Sequence, residues 1–438
     1  MKRATVNNDA RVILWGSLIG AVTWLEDREI GVFQYSPDFL ESGIQLSPIM
    51  MPLAEFPYEF PALPRGTFKG LPGLLEDSLP DKFGNAIIDA WLASQGRTAD
   101  SFHPVERLCC VGTRGMGALE YEPATFAAAG STHAVSVANL VSLANRILDE
   151  RISLRGVFSG DDDREAISDI LRVGTSAGGA RAKAILAWNP STDEFRSGQV
   201  DPGAGFEHWL MKFDGVSSTR DFEISTPRGY GRIEHAYHLM AVEAGIDMTA
   251  CRLHHEGGRS HFMTRRFDRT ADGGKLHMQS LGALAHFDYR QAASYSHEQA
   301  LHVIKRLDLP RTDVEQQVLR AFFNVVGCNC DDHVKNTAFL MNRLGEWGLS
   351  PAFDITYARN PGGEWTSKHQ MSINGKREGF GREDLLALAA AAGIKKTPGN
   401  EMLDRVIAAV TRWPDHANTQ EVPEKRIDEI RRNQITGL

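Results

Sequence analysis

The sequence is poor in cysteine, and the few cysteines it has indicate a reducing environment. Its 438 residues include five cysteines, and an odd number in a chain of this length is typical of a cytoplasmic protein. Cys328 and Cys330 are separated by one residue. A structural zinc site needs a second Cys/His pair at suitable spacing, and the sequence lacks one. We therefore expect a cytoplasmic protein without such a zinc site.

Long apolar runs and an excess of positive charge are missing as well. No run of about 18 apolar residues occurs, so we expect no membrane span. Residues 4–9 are too polar for the core of a signal peptide. The net charge of −8 argues against a dominant nucleic-acid interface on this chain. The hydrophobic content of 42% and charged content of 24% are those of an ordinary globular protein, long enough for two or three domains.

The most informative segment contains Asp331 and Asn336 and is followed by Asp354. Protein kinases combine an Asp-x4-Asn loop with a downstream Asp. In that arrangement the first Asp accepts the proton of the attacking hydroxyl, while the Asn and the second Asp hold Mg²⁺ against the nucleotide phosphates. Asp, His and Asn also occur in ordinary loops, where they cap helices and close turns. The pattern therefore needs the other parts of a kinase site upstream.

The segments around this loop predict a hairpin behind it. Leu319–Val326 is apolar and predicts a helix or strand leading in, and Thr337–Met341 predicts a strand leading out. Gly345–Gly348 predicts a turn, and Leu349–Ile355 predicts a second short strand. Such a hairpin would bring the Asn and the second Asp of the pattern to the same end.

Three upstream segments supply the remaining parts in kinase order. Gly174–Lys183 is rich in glycine and small residues, which let backbone N–H groups approach phosphates. Lys212 lies within an apolar strand pattern, where an unpaired ammonium group would be costly to bury. Glu234 opens a predicted helix that ends at Gly245; it could pair with Lys212, or it could only stabilise the helix dipole. The five parts in this order predict a phosphotransferase.

With these motifs the chain resembles the HipA-type toxin Ser/Thr kinases of bacterial toxin–antitoxin modules. Leu74–Gly84 is similar to the family's LPDxWG-like signature, with Phe83 in place of Trp. Gly174–Lys183 is similar to its SxxGGARPK pattern, with Ala182 where Pro is usual. In the C-terminal half the resemblance is carried by Arg266–Arg269, Asp331–Asn336 and Pro351–Asp354.

The resemblance implies a role for each matching residue. Asp331 would be the catalytic base, and Asn336 and Asp354 would be ligands of Mg²⁺. Lys212 would contact the phosphates of ATP. Ser176 matches the position at which family members autophosphorylate, which silences the kinase. The nucleotide would also be contacted by the phosphate loop, the helix glutamate, the hinge and the catalytic loop, through Gly178, Gly179, Ala180, Arg181, Lys183, Glu234, Arg266, Phe267 and His333.

The resemblance also implies an α+β, two-lobed fold of the protein-kinase type with a PI-kinase-like catalytic loop. The expected division is an N-terminal β-rich subdomain over 1–125, a linker helix and nucleotide-binding lobe over 126–268, and a mainly helical catalytic lobe over 269–438. Sequence patterns predict strands at Arg11–Trp15, Ala21–Trp24 and Gly31–Tyr35, and helices at Asp81–Ser94, Ser136–Arg151, Glu383–Gly393, Met402–Trp413 and Lys425–Gln434.

The function implied by the resemblance is that of an ATP- and Mg²⁺-dependent serine/threonine protein kinase that acts as a toxin. Its expected partners are a HipB-like helix-turn-helix antitoxin, operator DNA through that antitoxin, and a protein substrate such as glutamyl-tRNA synthetase or another aminoacyl-tRNA synthetase. Two alternatives stay open. The chain could serve chiefly as a corepressor that docks the antitoxin on DNA. It could also phosphorylate a lipid or small molecule, because Asp331-x-His333-x2-Asn336 is similar to the DxHxxN loop of lipid kinases.

Overall fold

The computed structural model describes residues 7–125, 134–149, 181–199, 201–216, 228–270 and 272–438. These residues form two compact units, and the chain passes between the units several times. The first unit takes its residues from Met1–Tyr230, His254–Met278 and Asn342–Gly345, and the second consists of Gly231–Leu253, Gln279–Met341 and Glu346–Leu438. Residues 231–253 have their contacts mainly within the second unit. The three-part division expected from the sequence stays a prediction.

A four-stranded antiparallel sheet forms the N-terminal part of the first unit. Its strands, in the order β3-β2-β1-β4, are β1 (Asp9–Leu14), β2 (Ser17–Leu25), β3 (Ile30–Tyr35) and β4 (Leu119–Glu122). Trp15 and Gly16 join β1 to β2, and both have positive φ angles, as a tight two-residue hairpin requires. The three N-terminal strand predictions are confirmed by β1, β2 and β3. Buried and exposed side chains alternate along much of these strands, which is the pattern that the sequence shows.

Short and medium helices accompany this sheet in the described part of the first unit. They are α1 (Pro37–Leu40), α2 (Arg65–Phe68), α3 (Gly73–Glu76), α4 (Lys82–Ser94), α5 (Pro104–Val111) and α6 (Val137–Asp149), with a 3-10 turn at Ala99–Ser101. The side chain of Asp81 caps α4 by accepting the N–H of Gly84 at 2.6 Å. Gly96 follows the helix with a φ of 74°, which ends it. The helix prediction over this segment is confirmed.

A second sheet has five strands in the order β6-β5-β7-β9-β8. They are β5 (Lys183–Asn189), β6 (Glu194–Ser197), β7 (Glu207–Lys212), β8 (Cys251–Glu256) and β9 (Arg259–Arg265). α4 and α6 pack against this sheet in one hydrophobic cluster that includes Ile87, Ile147, Leu186, Met211 and Met263. Full burial of each such side chain contributes about 1.5–3 kcal/mol. The strand predicted around the candidate lysine is confirmed by β7.

The second unit is mainly helical. Its helices are α7 (Tyr230–Glu243), α8 (Leu281–Ala285), α9 (His297–Arg306), α10 (Arg311–Val326), α11 (Arg382–Ala391), α12 (Lys396–Thr411), α13 (Trp413–Thr419) and α14 (Glu424–Asn433). The C-terminal helix predictions are confirmed in position, although the one that was placed at Met402–Trp413 is the end of the longer α12. None of the helices in the described ranges has both the length and the apolar character that a membrane span requires.

A three-stranded sheet carries the predicted hairpin. Its strands, in the order β10-β11-β12, are β10 (His277–Ser280), β11 (Ala338–Met341) and β12 (Trp347–Leu349). β11 and β12 pair antiparallel, so the hairpin is confirmed. The turn was predicted at Gly345–Gly348 but lies earlier, because Asn342 accepts the N–H groups of both Leu344 and Gly345 and closes the turn there.

The second strand of this hairpin is shorter than the sequence suggested. The predicted strand ran over Leu349–Ile355, but β12 ends at Leu349, the first residue of that prediction. Pro351 has no N–H to donate to a neighbouring strand. The N–H of Ala352 donates to the carbonyl oxygen of Asp247 at 2.8 Å, so the chain leaves β11 and runs beside another segment.

Candidate active site

The predicted catalytic loop begins where α10 ends. α10 ends at Val326 with Gly327 as its C-cap, and the next residue, Cys328, has a left-handed φ of 55°. The N–H of Asn329 donates to the carbonyl oxygen of Asn324 at 2.9 Å, and their side chains are joined by a bond of 3.0 Å. The N–H of Cys330 donates to the carbonyl oxygen of Ala358 at 2.9 Å. The start of the loop is therefore fixed between a helix end and the segment that follows the candidate metal aspartate.

One carboxylate oxygen of Asp331 is held by a hydrogen bond, while the side chain as a whole is partly exposed to solvent. Its side chain is 41% exposed. The indole Nε1–H of Trp365 donates to its Oδ1 at 2.6 Å, and Asn336 Nδ2 donates to its main-chain oxygen at 2.7 Å. His333 Nδ1 accepts the N–H of Lys335, so the neutral ring carries its proton on Nε2, 3.8 Å from the same Oδ1. A general base that must meet an incoming hydroxyl needs this combination of order and access.

Asn336 and Asp354 line one small cavity of about 20 Å³, together with His333 and Asn329. The prediction that the first two residues lie at the same end of the hairpin is therefore confirmed. Asn336 uses its amide nitrogen for the bond to Asp331, so its amide oxygen is the atom that can bind a cation. Asn329 adds a buried Oδ1 that has no hydrogen-bond partner among the described residues.

This donor set fits Mg²⁺ held partly by a nucleotide. Mg²⁺ prefers oxygen ligands and is usually bound by one or two carboxylates together with substrate phosphates and water. Across the described ranges, no three His, Cys, Asp or Glu side chains converge as a protein-only metal cage. A site built from one carboxylate and one amide is compatible with that chemistry. The assignment of these two residues as metal ligands stays a prediction.

Behind the loop lies a buried carboxylate that was not predicted from the sequence. Asp332 is 3% exposed, and its Oδ2 accepts His369 Nδ1–H at 2.8 Å. Its Oδ1 accepts the N–H of Gln370 at 2.7 Å, and His297 Nε2 lies 3.4 Å from Oδ2. Burial alone would raise the pKa of Asp332, but the charge of His369 and hydrogen bonds from both histidines hold that pKa well below its usual range.

His369 is the charged partner in this pair. Burial alone would lower its pKa, but the carboxylate of Asp332 and hydrogen bonding outweigh burial and raise the pKa of His369 to about 10. The thiol of Cys330 also faces the ring, and Phe380 packs edge-on at 5.4 Å between ring centres. His369 is therefore an imidazolium at neutral pH, and it forms a buried ion pair with Asp332.

Sequence reasoning missed both this pair and Trp365. The signals present were two consecutive acidic residues in the loop and a single tryptophan in the polar, glycine-containing segment 360–368. Neither signal identifies a partner, because the contacts join residues more than thirty positions apart.

Two lysines of the predicted nucleotide site lie opposite each other in the five-stranded sheet. Lys183 of β5 pairs with Lys212 of β7, and opposite residues of an antiparallel pair share one face. Lys183 is 4% exposed, and its Nζ lies 3.1 Å from Oδ2 of Asp81, the residue that caps α4. Lys212 is half-buried, with Nζ 5.8 Å from the centre of the Phe262 ring. A phosphate contact by Lys183 would compete with its ion pair; both lysine assignments stay predictions.

The predicted hinge residues Arg266 and Phe267 lie beside a buried charge cluster. Asp268 is fully buried and accepts bonds of 2.6 Å from Arg266 and from Arg269, and one of 2.7 Å from the N–H of Gly117. Burial alone would raise the pKa of Asp268, but the two guanidinium groups hold it well below its usual range. The guanidinium of Arg266 is thus part of a structural ion cluster, and Phe267 is half-buried next to it.

The remaining predicted site residues fall into three groups. The guanidinium carbon of Arg181 lies 3.7 Å from the centre of the Tyr230 ring, a cation–π contact. Glu234 is 2% exposed on α7 in the second unit, whereas Lys212 belongs to the first, and their pairing stays a prediction. Four residues lie outside the described ranges, and their roles also stay predictions: Ser176, Gly178, Gly179 and Ala180.

Two protein-family models match this chain. Residues 10–122 match the HipA N-terminal domain, and residues 175–413 match the HipA-like C-terminal domain. The second match alone covers more than half of the chain. The chain therefore belongs to the HipA-like family.

Solved structures extend this finding to the fold. The chain is similar to the HipA of the Shewanella oneidensis MR-1 toxin–antitoxin system, solved with HipB and its operator DNA, with 16% identity, a TM-score of 0.65, and coverage of 97% of this chain and 100% of that chain. At this identity the likeness shows a shared mixed α/β fold. The chain also matches the Helicobacter pylori proinflammatory kinase CtkA over 51% of this chain and 92% of that chain, with 10% identity and a TM-score of 0.31, which supports no conclusion. No curated protein matches the chain.

The Asp332–His369 ion pair predicts a stability that decreases at high pH. His369→Gln leaves a buried carboxylate without its counter-charge, so we expect the free energy of unfolding to fall by about 3–5 kcal/mol near neutral or mildly acidic pH. Folding raises the pKa of His369 from 6.5 to about 10. The additional free energy of unfolding of the wild type over His369→Gln is therefore fully present below pH 6.5 and is lost as the pH rises towards about 10. Denaturant unfolding of both proteins across this range measures the effect. A difference that does not change with pH would contradict the ion pair.

The Lys183–Asp81 pair predicts a strong coupling between β5 and α4. Lys183→Met leaves the carboxylate of Asp81 buried and uncompensated, and we expect a loss of about 3 kcal/mol in the free energy of unfolding. Asp81→Asn keeps an oxygen for the Gly84 N–H and removes the charge, so the double variant should regain part of that loss. A double-mutant cycle by denaturant unfolding measures the coupling. Additive losses would show that the two charges do not interact.

Proposed function

We propose that this chain is an ATP- and Mg²⁺-dependent serine/threonine protein kinase with the two-lobed layout of that class. The observation that carries the proposal lies in the second unit, where the open carboxylate of Asp331 stands beside a cavity lined by Asn336 and Asp354. A base next to two oxygen ligands is the arrangement that phosphoryl transfer to a hydroxyl requires. Membership in the HipA-like family supports the same activity.

In this proposal each residue acts through position or charge. Asp331 would orient the attacking hydroxyl and accept its proton. Asn336 and Asp354 would hold Mg²⁺, which when bound neutralises charge on the nucleotide phosphates. Lys212 would add positive charge at the phosphates. Because phosphoryl transfer needs little covalent help from the protein, positioning and charge neutralisation would supply most of the rate.

Ser176 is the proposed site of autophosphorylation. It precedes the glycine-rich segment of Gly178, Gly179 and Ala180, which would bind the phosphates of ATP. A phosphoserine carries a charge of about −1.5 to −2 at neutral pH. Placed next to a phosphate-binding segment, that charge would repel the nucleotide and silence the kinase.

The proposed biological role is that of a cytoplasmic toxin in a HipA/HipB-like toxin–antitoxin system. Family membership supports this role, as does a fold shared with a HipA that was solved together with HipB and operator DNA. The partners would be a HipB-like helix-turn-helix antitoxin and, through it, operator DNA. The substrate would be a component of translation, such as glutamyl-tRNA synthetase or another aminoacyl-tRNA synthetase.

The same structural relative favours a second candidate function. A protein that chiefly docks an antitoxin on DNA would act as a corepressor, with catalysis secondary. Such a protein would need neither a partly exposed carboxylate at Asp331 nor Asn336 and Asp354 at one cavity, and these two observations support the kinase instead. The kinase is therefore the preferred proposal. A kinase for lipids or small molecules would share the site but would add no phosphate to protein.

Intact-mass spectrometry with ATP and Mg²⁺ tests the proposal directly. Wild-type protein that starts unphosphorylated should gain one phosphate, mapped to Ser176, while Asp331→Asn should gain none because it lacks the base. Phosphatase treatment beforehand secures the starting state. No gain by the wild type, together with no ATP binding in calorimetry, would favour the corepressor. ATP binding without phosphate on protein would favour a lipid or small-molecule kinase.

If Asp354 binds the metal, replacing it should change the Mg²⁺ concentration that the reaction requires. Asp354→Asn removes the negative ligand, so the Mg²⁺ concentration for half-maximal phosphate incorporation should rise at least about tenfold, the effect of about 1.4 kcal/mol in binding. Asp428→Asn, at an exposed acid of α14, is the matched control and should leave the requirement unchanged. An equal metal requirement in the wild type and Asp354→Asn would remove this residue from the metal site.

A further inference from the structure

One short segment of the second unit binds two consecutive acidic residues of the catalytic loop. The indole N–H of Trp365 donates to Asp331 Oδ1 at 2.6 Å. Four and five residues later, His369 Nδ1–H and the main-chain N–H of Gln370 donate to Asp332 at 2.8 and 2.7 Å. One carboxylate is half-exposed and the other is buried, so the segment joins the reactive group to the core.

The indole of Trp365 is fixed through both its ring and its backbone. Its ring centre lies 6.4 Å from that of Tyr289, at 78°, and 6.1 Å from that of His333, at 60°. Its carbonyl oxygen accepts the side-chain amide of Gln370, the residue whose main-chain N–H holds Asp332. A donor that is held on two sides keeps its direction before any substrate arrives, which is what preorganisation of a site requires.

The chemical nature of this donor suits a base. An indole N–H donates but does not accept, and it carries no charge. It can therefore fix one oxygen of Asp331 without forming an ion pair that would compete for the proton. The charged partner of the loop, His369, is instead bound to the neighbouring Asp332 inside the core.

We infer that Trp365 is a positioning residue for the general base Asp331, an inference that rests on the proposed kinase function. Its N–H fixes Oδ1 and leaves Oδ2 for the acceptor hydroxyl; among the described residues no donor contacts Oδ2. The hydroxyl oxygen forms a bond to the γ-phosphorus of ATP, the bond from that phosphorus to the ADP oxygen breaks, and the hydroxyl proton moves to Oδ2. The buried ion pair of Asp332 and His369 holds in position the segment that carries the indole.

Trp365→Phe tests the inference by removing the N–H while keeping an aromatic ring. The rate of phosphate incorporation at saturating ATP should fall about 10- to 100-fold, the effect of losing a hydrogen bond to a charged group, and KM for ATP should not change. Trp365→His restores a ring N–H and should recover part of the rate. Trp347→Phe makes the same change on β12 and should have no effect. An unchanged rate in Trp365→Phe would overturn the inference, and a higher rate would overturn it by showing that the indole obstructs the acceptor.

An NMR measurement tests the contact without any turnover. With ¹⁵N-labelled tryptophan, the indole signal that Trp365→Phe removes should shift upfield in Asp331→Asn, because an amide oxygen is a weaker acceptor than a carboxylate. The signal of Trp347 should stay in place. If the Trp365 signal does not respond, the inference is overturned. Should Trp365→Phe fail to fold, the loss of one indole signal in Trp365→His identifies the same signal, and this arm still decides. If the wild type incorporates no phosphate but the signal responds, the contact is supported and the proposed function fails.

Discussion

The carboxylate of Asp332 is the group on which the candidate site depends. It is buried, and its two oxygens are held by the imidazolium of His369, by His297 and by the main-chain N–H of Gln370. A buried carboxylate without such partners is costly, so the loop keeps this form only while the segment of His369 stays docked. The position of the half-exposed Asp331, the preceding residue, therefore depends on the buried carboxylate of Asp332.

The parts of the structure that could be predicted are those whose signals are local. Asp81 caps α4 because its side chain reaches an N–H three residues away, and that pattern is visible in the sequence. The Asp-x4-Asn loop is equally local. The contact of Trp365 with Asp331 could not be predicted, because it depends on how the chain returns after 34 residues. The predicted strand over Leu349–Ile355 was too long for the same reason, since its end pairs with a segment about a hundred residues earlier in the chain.

Several residues that carry the family resemblance turn out to hold buried charges. Lys183, from the glycine-rich pattern, bonds to Asp81 of the N-terminal signature. Arg266 and Arg269 enclose Asp268. Removing the carboxylate of Asp268 would leave two buried guanidinium groups without that counter-charge, which costs more than an exposed ion pair contributes. In this chain a residue of a family motif can therefore serve the architecture, independently of any contact with a nucleotide.

The pair of Asp81 and Lys183 also bears on how this protein can be divided. Asp81 lies in the region that matches the HipA N-terminal domain, and Lys183 lies in the region that matches the HipA-like C-terminal domain. The two regions are therefore not interchangeable modules. A fusion that joined the second region of this chain to a first region without the carboxylate of Asp81 would keep the buried ammonium group of Lys183 and lose the counter-charge 3.1 Å from it.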